Sequence, residues 1–184
     1  MPVFVAMLRG VHGGKARRLP GSVLRGLLAG LGFTGVRVLL NSGNAVFFAS
    51  GGEPAEHAAS IAAALVPALG SEVSVVVKTG AELRAAYAEN PHVAVDSSCL
   101  LVVFAQEQAD LRALESLRPN VATPEHLHLG ARAAFLHCPA GIADSAAARA
   151  LLDEPRVAAR DHATVLRLVA MVSEVAGHGK VGAG

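Results

Sequence analysis

The sequence predicts an α+β fold made of two subdomains, and three observations lead to this prediction. The chain has 184 residues, which is enough for one ordinary domain or two small ones with their own cores. Its residues are 52% hydrophobic and 17% charged with a formal net charge of +1, a composition typical of a folded protein. Short apolar runs typical of strands alternate with stretches of helical period, and the second half repeats the pattern of the first.

In the first half, helix and turn signals separate four short strand-like runs. Val3–Leu8 is apolar throughout, which predicts a strand buried on both faces. The segment Asn41-Ser42-Gly43-Asn44 lies between two apolar runs and predicts the turn of a β-hairpin. The predicted elements are strand 3–8, helix 20–29, strands 36–40 and 45–49, helix 54–69 and strand 73–78. This βαββαβ order is that of a ferredoxin-like subdomain.

The second half repeats this order incompletely. Thr79 and Glu82 have the spacing of a capping box at the start of a connecting helix over 80–89. The elements predicted after it are strand 98–105, helix 107–117, strands 125–129 and 132–137, helix 144–152 and a further C-terminal helix 164–175. We therefore predict a ferredoxin-like subdomain with its connecting helix at 1–90, a second and imperfect α+β subdomain at 98–176, and a flexible tail at 177–184.

Composition and cysteine usage argue against several classes of protein. The apolar stretches are too short or too broken to span a membrane, and no cleavage signal follows the first one, so a cytoplasmic protein is expected. A net charge near zero makes a nucleic-acid partner unlikely. Cys99 and Cys138 lie in strand-like runs without metal-ligand spacing, which predicts buried free thiols.

Three histidines of the second predicted hairpin are its candidate metal ligands. His126 and His128 alternate along one strand and therefore point the same way. If Gly130 and Ala131 form a two-residue turn, His137 lies diagonal to His126 and far from His128. This spacing favours a polar, partly exposed face over a zinc site, so we predict no metal and no cofactor.

The strongest chemical signal is the segment 9–18, which follows the first strand. It carries four permanent cations and three glycines. Glycines allow backbone N–H groups to approach a ligand, and Lys and Arg supply charge, so the segment suits a phosphate or a carboxylate. It is not a Walker A loop, because Ala16 stands where Ser or Thr is required. A solvated loop with surface charges is the alternative interpretation.

The predicted topology brings a second polar segment to the same place. In a split-βαβ sheet the first two strands are parallel, and the third lies antiparallel between them. The end of the first strand and the turn 41–44 must then share one edge, although that turn taken alone is ordinary turn chemistry. The predicted ligand-binding residues are Arg9, Gly10, Gly13, Gly14, Lys15, Asn41, Ser42, Gly43 and Asn44.

The leading hypothesis is a cytosolic module that binds a small anionic ligand at this edge. Arg9 would hold the anion through bidentate hydrogen bonds, and Lys15 would add charge. One alternative is an enzyme of unknown reaction that uses the same edge, with His12 or Lys15 as an acid–base group. Another is nucleic-acid binding by the sheet face, where Phe4 and either Phe47 or Phe48 occupy strands that carry stacking aromatics in RNA-recognition domains.

A set of motifs spread over nearly the whole chain supports a family resemblance. The motifs are Leu8-Arg9-Gly10, Gly13-Gly14, Leu31-Gly32-Phe33, Ser42-Gly43-Asn44, Val46-Phe47, Asn90-Pro91, Leu136-His137 with Pro139, Gly141 and Ile142, and Arg160 with Thr164-Val165. In this order they resemble the bacterial domain of unknown function 1697 family (DUF1697). The resemblance implies an α+β protein of two ferredoxin-like subdomains. It implies no reaction, because the family has no established activity to carry over.

The chain departs from the family pattern at several places. Val11-His12-Gly13 stands where Ile-Asn-Val is usual, and Asn41 replaces the usual Gln. Ala146 follows Ser145 where a Lys is usual, and the segment after Arg160 lacks the usual Trp. The missing Lys and Trp weaken any site in the second half, so the edge in the first half is the better candidate.

Overall fold

Two four-stranded antiparallel sheets form the framework of the chain in its computed structural model, which describes residues 1–9, 19–39, 43–92 and 95–178. The chain divides into two compact units: unit 1 comprises Met1–Leu83 with Arg167–Gly184, and unit 2 comprises Arg84–Leu166. Six α-helices lie within the described ranges. None of these helices combines the length and hydropathy that a membrane span requires.

The sheet of unit 1 has the element order that the sequence predicts. Its elements are β1 (Val3–Leu8), α1 (Gly21–Gly30), β2 (Thr34–Leu39), β3 (Asn44–Phe48), α2 (Pro54–Leu69) and β4 (Val75–Thr79). The strands lie in the order β2-β3-β1-β4, and β3 pairs antiparallel with both β1 and β2. Because they share β3 as a neighbour, β1 and β2 run parallel to each other.

Helices α1 and α2 pack on one face of this sheet and close a hydrophobic core. The core joins Leu24 and Leu28 of α1 and Ile61 and Leu65 of α2 to the sheet. Each fully buried aliphatic side chain of this size contributes roughly 1.5–3 kcal/mol. Pro54 begins α2 and Gly70, in the left-handed region at φ 68°, ends it, as their positions in the sequence predict.

Unit 2 has the same strand order in its own sheet. After α3 (Gly80–Ala88), which spans the boundary between the units, follow β5 (Leu100–Ala105), α4 (Gln108–Ala113), β6 (His126–Leu129), β7 (Ala134–His137), α5 (Ala146–Asp153) and β8 (Val157–Asp161). The strands lie in the order β6-β7-β5-β8, so β5 takes the place that β1 has in unit 1. The capping box of α3 is confirmed: the Thr79 N–H donates to Glu82 Oε2 at 2.7 Å, and the Glu82 N–H to Thr79 Oγ1 at 3.1 Å.

The prediction of an incomplete second repeat was wrong, because it missed β8. This strand pairs with β5 along its whole length, with Val102 opposite Arg160 and Ala105 opposite Val157. The C-terminal helix is confirmed as α6 (His162–His178) and follows β8 directly. Asp161 caps it by accepting hydrogen bonds from the Thr164 N–H and hydroxyl, both at 2.9 Å.

The predicted two-residue turn between β6 and β7 was also wrong. Residues 130–133 join the two strands, and the Gly130 N–H donates to the Ala133 carbonyl at 2.9 Å. The longer loop shifts the pairing, so that His126 lies directly opposite His137. A register shift of this kind changes which side chains meet across the sheet.

Both cysteines are free thiols, but only one matches the predicted burial. Cys138 is buried, and its burial raises the pKa of the thiol, which keeps it protonated at neutral pH. Cys99 is half-buried at the end of the 3₁₀ turn Ser97–Cys99. The expectation that both thiols are fully buried is therefore corrected for Cys99.

Gly35 provides a stability test of the β2–β3 pair. It has φ +58°, and a β-carbon added there would lie 2.6 Å from Phe48 Cδ2. We expect Gly35→Ala to lower the free energy of unfolding by about 1–2 kcal/mol, measured by urea unfolding of the full chain. Gly26→Ala in α1 is the matched control: nothing lies within 4 Å of its added β-carbon, and it should raise stability by up to about 1 kcal/mol. If the Gly35→Ala variant were as stable as the wild type, the predicted strain of a β-carbon at position 35 would be wrong.

Candidate anion-binding site

The end of β1 and the turn before β3 lie against each other, as the topology predicts. The Leu8 N–H donates to the Gly43 carbonyl at 2.7 Å, and Met7 pairs with Asn44. Gly43 has φ 67°, a left-handed conformation that favours glycine. Arg9, which follows Leu8 directly, is therefore held beside this turn.

A third segment reaches the same edge through the backbone of Arg9. The Arg9 N–H donates to the Ser74 carbonyl at 2.8 Å, which brings in the loop 70–74 between α2 and β4. The Arg9 side chain is half-buried, with its Nε atom shielded from solvent. The Ser71 hydroxyl in this loop is buried and has no hydrogen-bond partner among the described residues. We call Arg9, Gly43, Asn44 and Ser74 the Arg9 edge.

The predicted site residues fall into two groups. Arg9, Gly43 and Asn44 are described, and they lie together. Asn44 is fully buried, so it forms part of the wall of the Arg9 edge and not of its exposed surface. The remaining predicted residues lie outside the described residues: Gly10, Gly13, Gly14, Lys15, Asn41 and Ser42.

The sequence analysis missed the loop 70–74, although its topology contains the necessary signal. β4 pairs antiparallel with β1, so the start of β4 must lie at the edge where β1 ends. Ser74 directly precedes β4 and thus reaches the Arg9 edge, where its carbonyl accepts the Arg9 N–H.

The aromatic side chains of the first sheet do not support base stacking. Phe4 is 2% exposed and Phe47 is fully buried. Phe47 stacks on Phe33 at a centroid distance of 4.3 Å, and His57 meets the Phe4 ring edge-on at 4.7 Å. The alternative in which Phe4 and Phe47 stack on nucleic-acid bases was therefore wrong for these two residues.

A tyrosine–histidine pair of a half-buried Tyr87 and a buried His162 lies in unit 2. The Tyr87 hydroxyl and His162 Nε2 are 2.9 Å apart, and the two rings stack at 5.7 Å. His162 is 4% exposed. Nearby in sequence, burial lowers the pKa of Arg160 to about 10, which leaves its guanidinium charged at neutral pH.

The corrected hairpin register gathers three histidines of unit 2. The ring of His92 lies 5.7 Å from that of His126 and 5.0 Å from that of His137. The Asn90 side chain accepts a hydrogen bond from the His92 N–H at 2.9 Å and fixes the segment. No group of three His, Cys, Asp or Glu residues in the described ranges has a geometry that could hold a metal ion.

This histidine cluster makes the stability of the fold depend on pH. Burial lowers the pKa of His92, and electrostatic repulsion by His137, His126 and His128 lowers it further. His92 therefore binds a proton more weakly in the folded state than in the unfolded chain, where its pKa has the ordinary value of 6.5. Stability is full above pH 6.5 and is lost as the pH falls below 6.5 through the lower pKa of the folded state.

We expect the urea midpoint of unfolding to fall between pH 7 and pH 5, and to fall less in His92→Asn than in the wild type. The variant removes the group that is desolvated and repelled by its neighbours. His128→Asn is the matched control, because His128 affects His92 least of the three, and its pH dependence should stay closer to that of the wild type. Identical pH dependence in His92→Asn and the wild type would contradict this account.

The fold and the site together define an α+β protein of two units, each with a four-stranded antiparallel sheet, and with an arginine at one sheet edge of unit 1. The chain belongs to the family described as Protein of unknown function (DUF1697), whose model matches residues 1–135. The resemblance drawn from the sequence motifs is thereby confirmed.

A solved structure supports the fold. The conserved bacterial protein SP0830 from Streptococcus pneumoniae is similar to this chain with a TM-score of 0.73 and 20% sequence identity. The similarity covers 93% of this chain and 98% of that one. At this identity the comparison shows the shared fold alone. No match was found among curated proteins.

Proposed function

We propose that this protein binds a small anion, a phosphate or a carboxylate ligand, at the Arg9 edge. The observation that carries the proposal is the fixed position of Arg9. Backbone hydrogen bonds tie Leu8 to Gly43 and Arg9 to Ser74, so the guanidinium group extends from a backbone anchored on two sides. Anchoring of this kind reduces the entropy that a charged side chain loses when it binds an anion.

The chemistry of the surrounding groups supports the same ligand class. A guanidinium offers a planar fork of donors that matches a phosphate or carboxylate. The loop that holds the Arg9 backbone through Ser74 also carries the Ser71 hydroxyl, which is buried without a partner among the described residues. The segment that follows Arg9 in the sequence is rich in glycine and in cationic residues, a composition that suits an anionic ligand.

Two finer assignments accompany this proposal. The βαββαβ element order and the strand orders β2-β3-β1-β4 and β6-β7-β5-β8 support placing each unit in the ferredoxin-like class. Free thiols at Cys99 and Cys138 support a cytoplasmic location. The enzymatic alternative depends on His12 or Lys15, which lie outside the described residues, and it stays a hypothesis.

The proposal is tested by titrating the full chain with inorganic phosphate and with acetate at constant ionic strength, followed by NMR or calorimetry. Arg9→Ala should weaken phosphate binding by about 1.5–3 kcal/mol, because a charged hydrogen-bond partner is removed. Arg9→Lys keeps the charge but loses the planar fork, so its affinity should lie between those of Arg9→Ala and the wild type. Exposed Arg149 in unit 2 provides the control, and Arg149→Ala should bind as the wild type does.

Urea unfolding of each variant separates lost binding from lost folding. If Arg9→Ala is folded and binds phosphate with wild-type affinity, the Arg9 edge is not the anion site. If Arg9→Ala fails to fold, the comparison of Arg9→Lys with the wild type decides the question. Equal loss of affinity in Arg149→Ala would also contradict the proposal, because it would indicate attraction by overall charge.

A further inference from the structure

A second feature of unit 1 lies along the outer edge of its sheet. A groove of about 440 Å³ has β2 as its floor and parts of α1 and α6 as its sides. Its lining residues are Arg25, Val36, Arg37, Val38, Leu39, Arg167, Ala170, Met171 and Glu174. All of them belong to unit 1.

The lining shows that the groove follows the free edge of the strand. Val36 and Val38 pack toward the helix-covered core, so Arg37 and Leu39 point to the opposite face of the sheet. Consecutive residues that point to opposite faces line one groove only if the groove runs along the strand edge. β2 is the terminal strand of its sheet, and no strand of the described residues pairs with its outer side. Such an edge is a template for an added strand.

The groove is cationic. Arg25 on α1 and Arg167 on α6 are exposed on its two sides, and neither has an ion-pair partner among the described residues. Arg37 forms an ion pair with Glu174 at 2.9 Å, and the two side chains are 48% and 55% exposed. Because such an exposed ion pair contributes little to stability, Arg37 can exchange Glu174 for a carboxylate of a partner. Three arginines and one glutamate leave an excess of positive charge along an open strand edge.

We propose that β2 docks an extended acidic peptide segment of another protein, which adds a strand to the sheet of unit 1. The backbone of the segment pairs with the outer edge of β2, and its carboxylates face Arg25, Arg37 and Arg167. Val36, Val38 and Met171 supply apolar contacts for the alternate side chains of the segment. The register shift between Thr34 and Arg37 limits the regularly paired part of β2 to residues 37–39, so a partner segment of about four to six residues is sufficient.

Charge argues against a second copy of this chain as the occupant. Pairing of two β2 edges would bring Arg37 and its flanking arginines close to the same residues of the other copy. Like charges placed across adjacent strands are destabilising. An acidic segment meets the same backbone edge with complementary charge.

The test uses the full chain and three fluorescent peptides with blocked ends, followed by fluorescence anisotropy at low ionic strength. The first alternates Val and Glu, the second alternates Val and Lys, and the third repeats the first with its four central amides N-methylated. We expect the first to bind, the second not to bind, and N-methylation to weaken binding at least about tenfold, because strand pairing needs backbone N–H donors.

Charge-reversal variants locate the binding surface. Arg25→Glu and Arg167→Glu should each weaken binding of the first peptide roughly three- to tenfold. Arg149→Glu, on the exposed surface of unit 2, should leave it unchanged. Because Arg25 and Arg167 are exposed, these variants are expected to fold, and urea unfolding checks this.

Several results would overturn the proposal. If the N-methylated and unmethylated acidic peptides bound equally well, the binding would be due to charge attraction and not to strand pairing. Unchanged binding in both Arg25→Glu and Arg167→Glu would place the contact elsewhere. No binding of the first peptide at millimolar concentration excludes the acidic partner, and a dimer in sedimentation that blocks peptide binding identifies a second copy as the occupant.

Discussion

The antiparallel pairing of β3 between β1 and β2 is the constraint on which the functional features of unit 1 depend. β3 exchanges backbone hydrogen bonds with both neighbours, so β1 and β2 must run parallel and end at the same edge. That requirement brings Arg9 to the turn at Gly43, which is far from it in sequence. The hydrogen bond from Leu8 to the Gly43 carbonyl closes the arrangement locally.

The same pairing determines which strands lie at the borders of the sheet. With β3 and β1 placed inside, β2 and β4 are left at the two borders of the sheet. Natural proteins usually blunt such edges with charge or with bulges. Here the irregular pairing near Gly35 and the charge of Arg37 serve this role, and both also suit an edge that accepts only an acidic partner.

Local sequence signals predicted a large part of the fold. The errors arose where the structure depends on contacts between segments that are distant in sequence. Pro54 and Gly70 delimit α2, and Thr79 with Glu82 begins α3, because each signal acts within one turn of helix. β8 was missed because its sequence is rich in alanine, which has low strand propensity, and only pairing with β5 makes it a strand. The His126–His137 pair was missed for a related reason. Strand register depends on loop length, and no local signal indicates that residues 130–133 form a longer loop.

The candidate site was predictable to the extent that it follows from topology. The proximity of Arg9 to Gly43 and Asn44 follows from strand order, and it is observed. The part played by Ser74 follows from the same strand order but requires the loop before β4 to be considered as well. The burial of Asn44 and of His162 depends on packing by distant elements, which the sequence pattern does not reveal.

Unit 2 offers an internal control for the importance of Arg9. Its strand β5 takes the central place of β1, and the residue that follows β5 is Gln106, where unit 1 has Arg9. The loop 130–133 of unit 2 takes the place of the β2–β3 turn, and Glu89 binds its cation: Arg132 Nη1 lies 2.8 Å from Glu89 Oε1.

Burial acts to raise the pKa of Glu89, but the hydrogen bonds and charge of Arg132 outweigh it and lower that pKa, so the pair stays ionised at neutral pH. One strand order thus supports a neutral residue and an ion-paired arginine at the edge of unit 2, and Arg9 at the corresponding edge of unit 1. Because the same strand order accommodates Gln106 at the equivalent position, the fold alone does not require an arginine there.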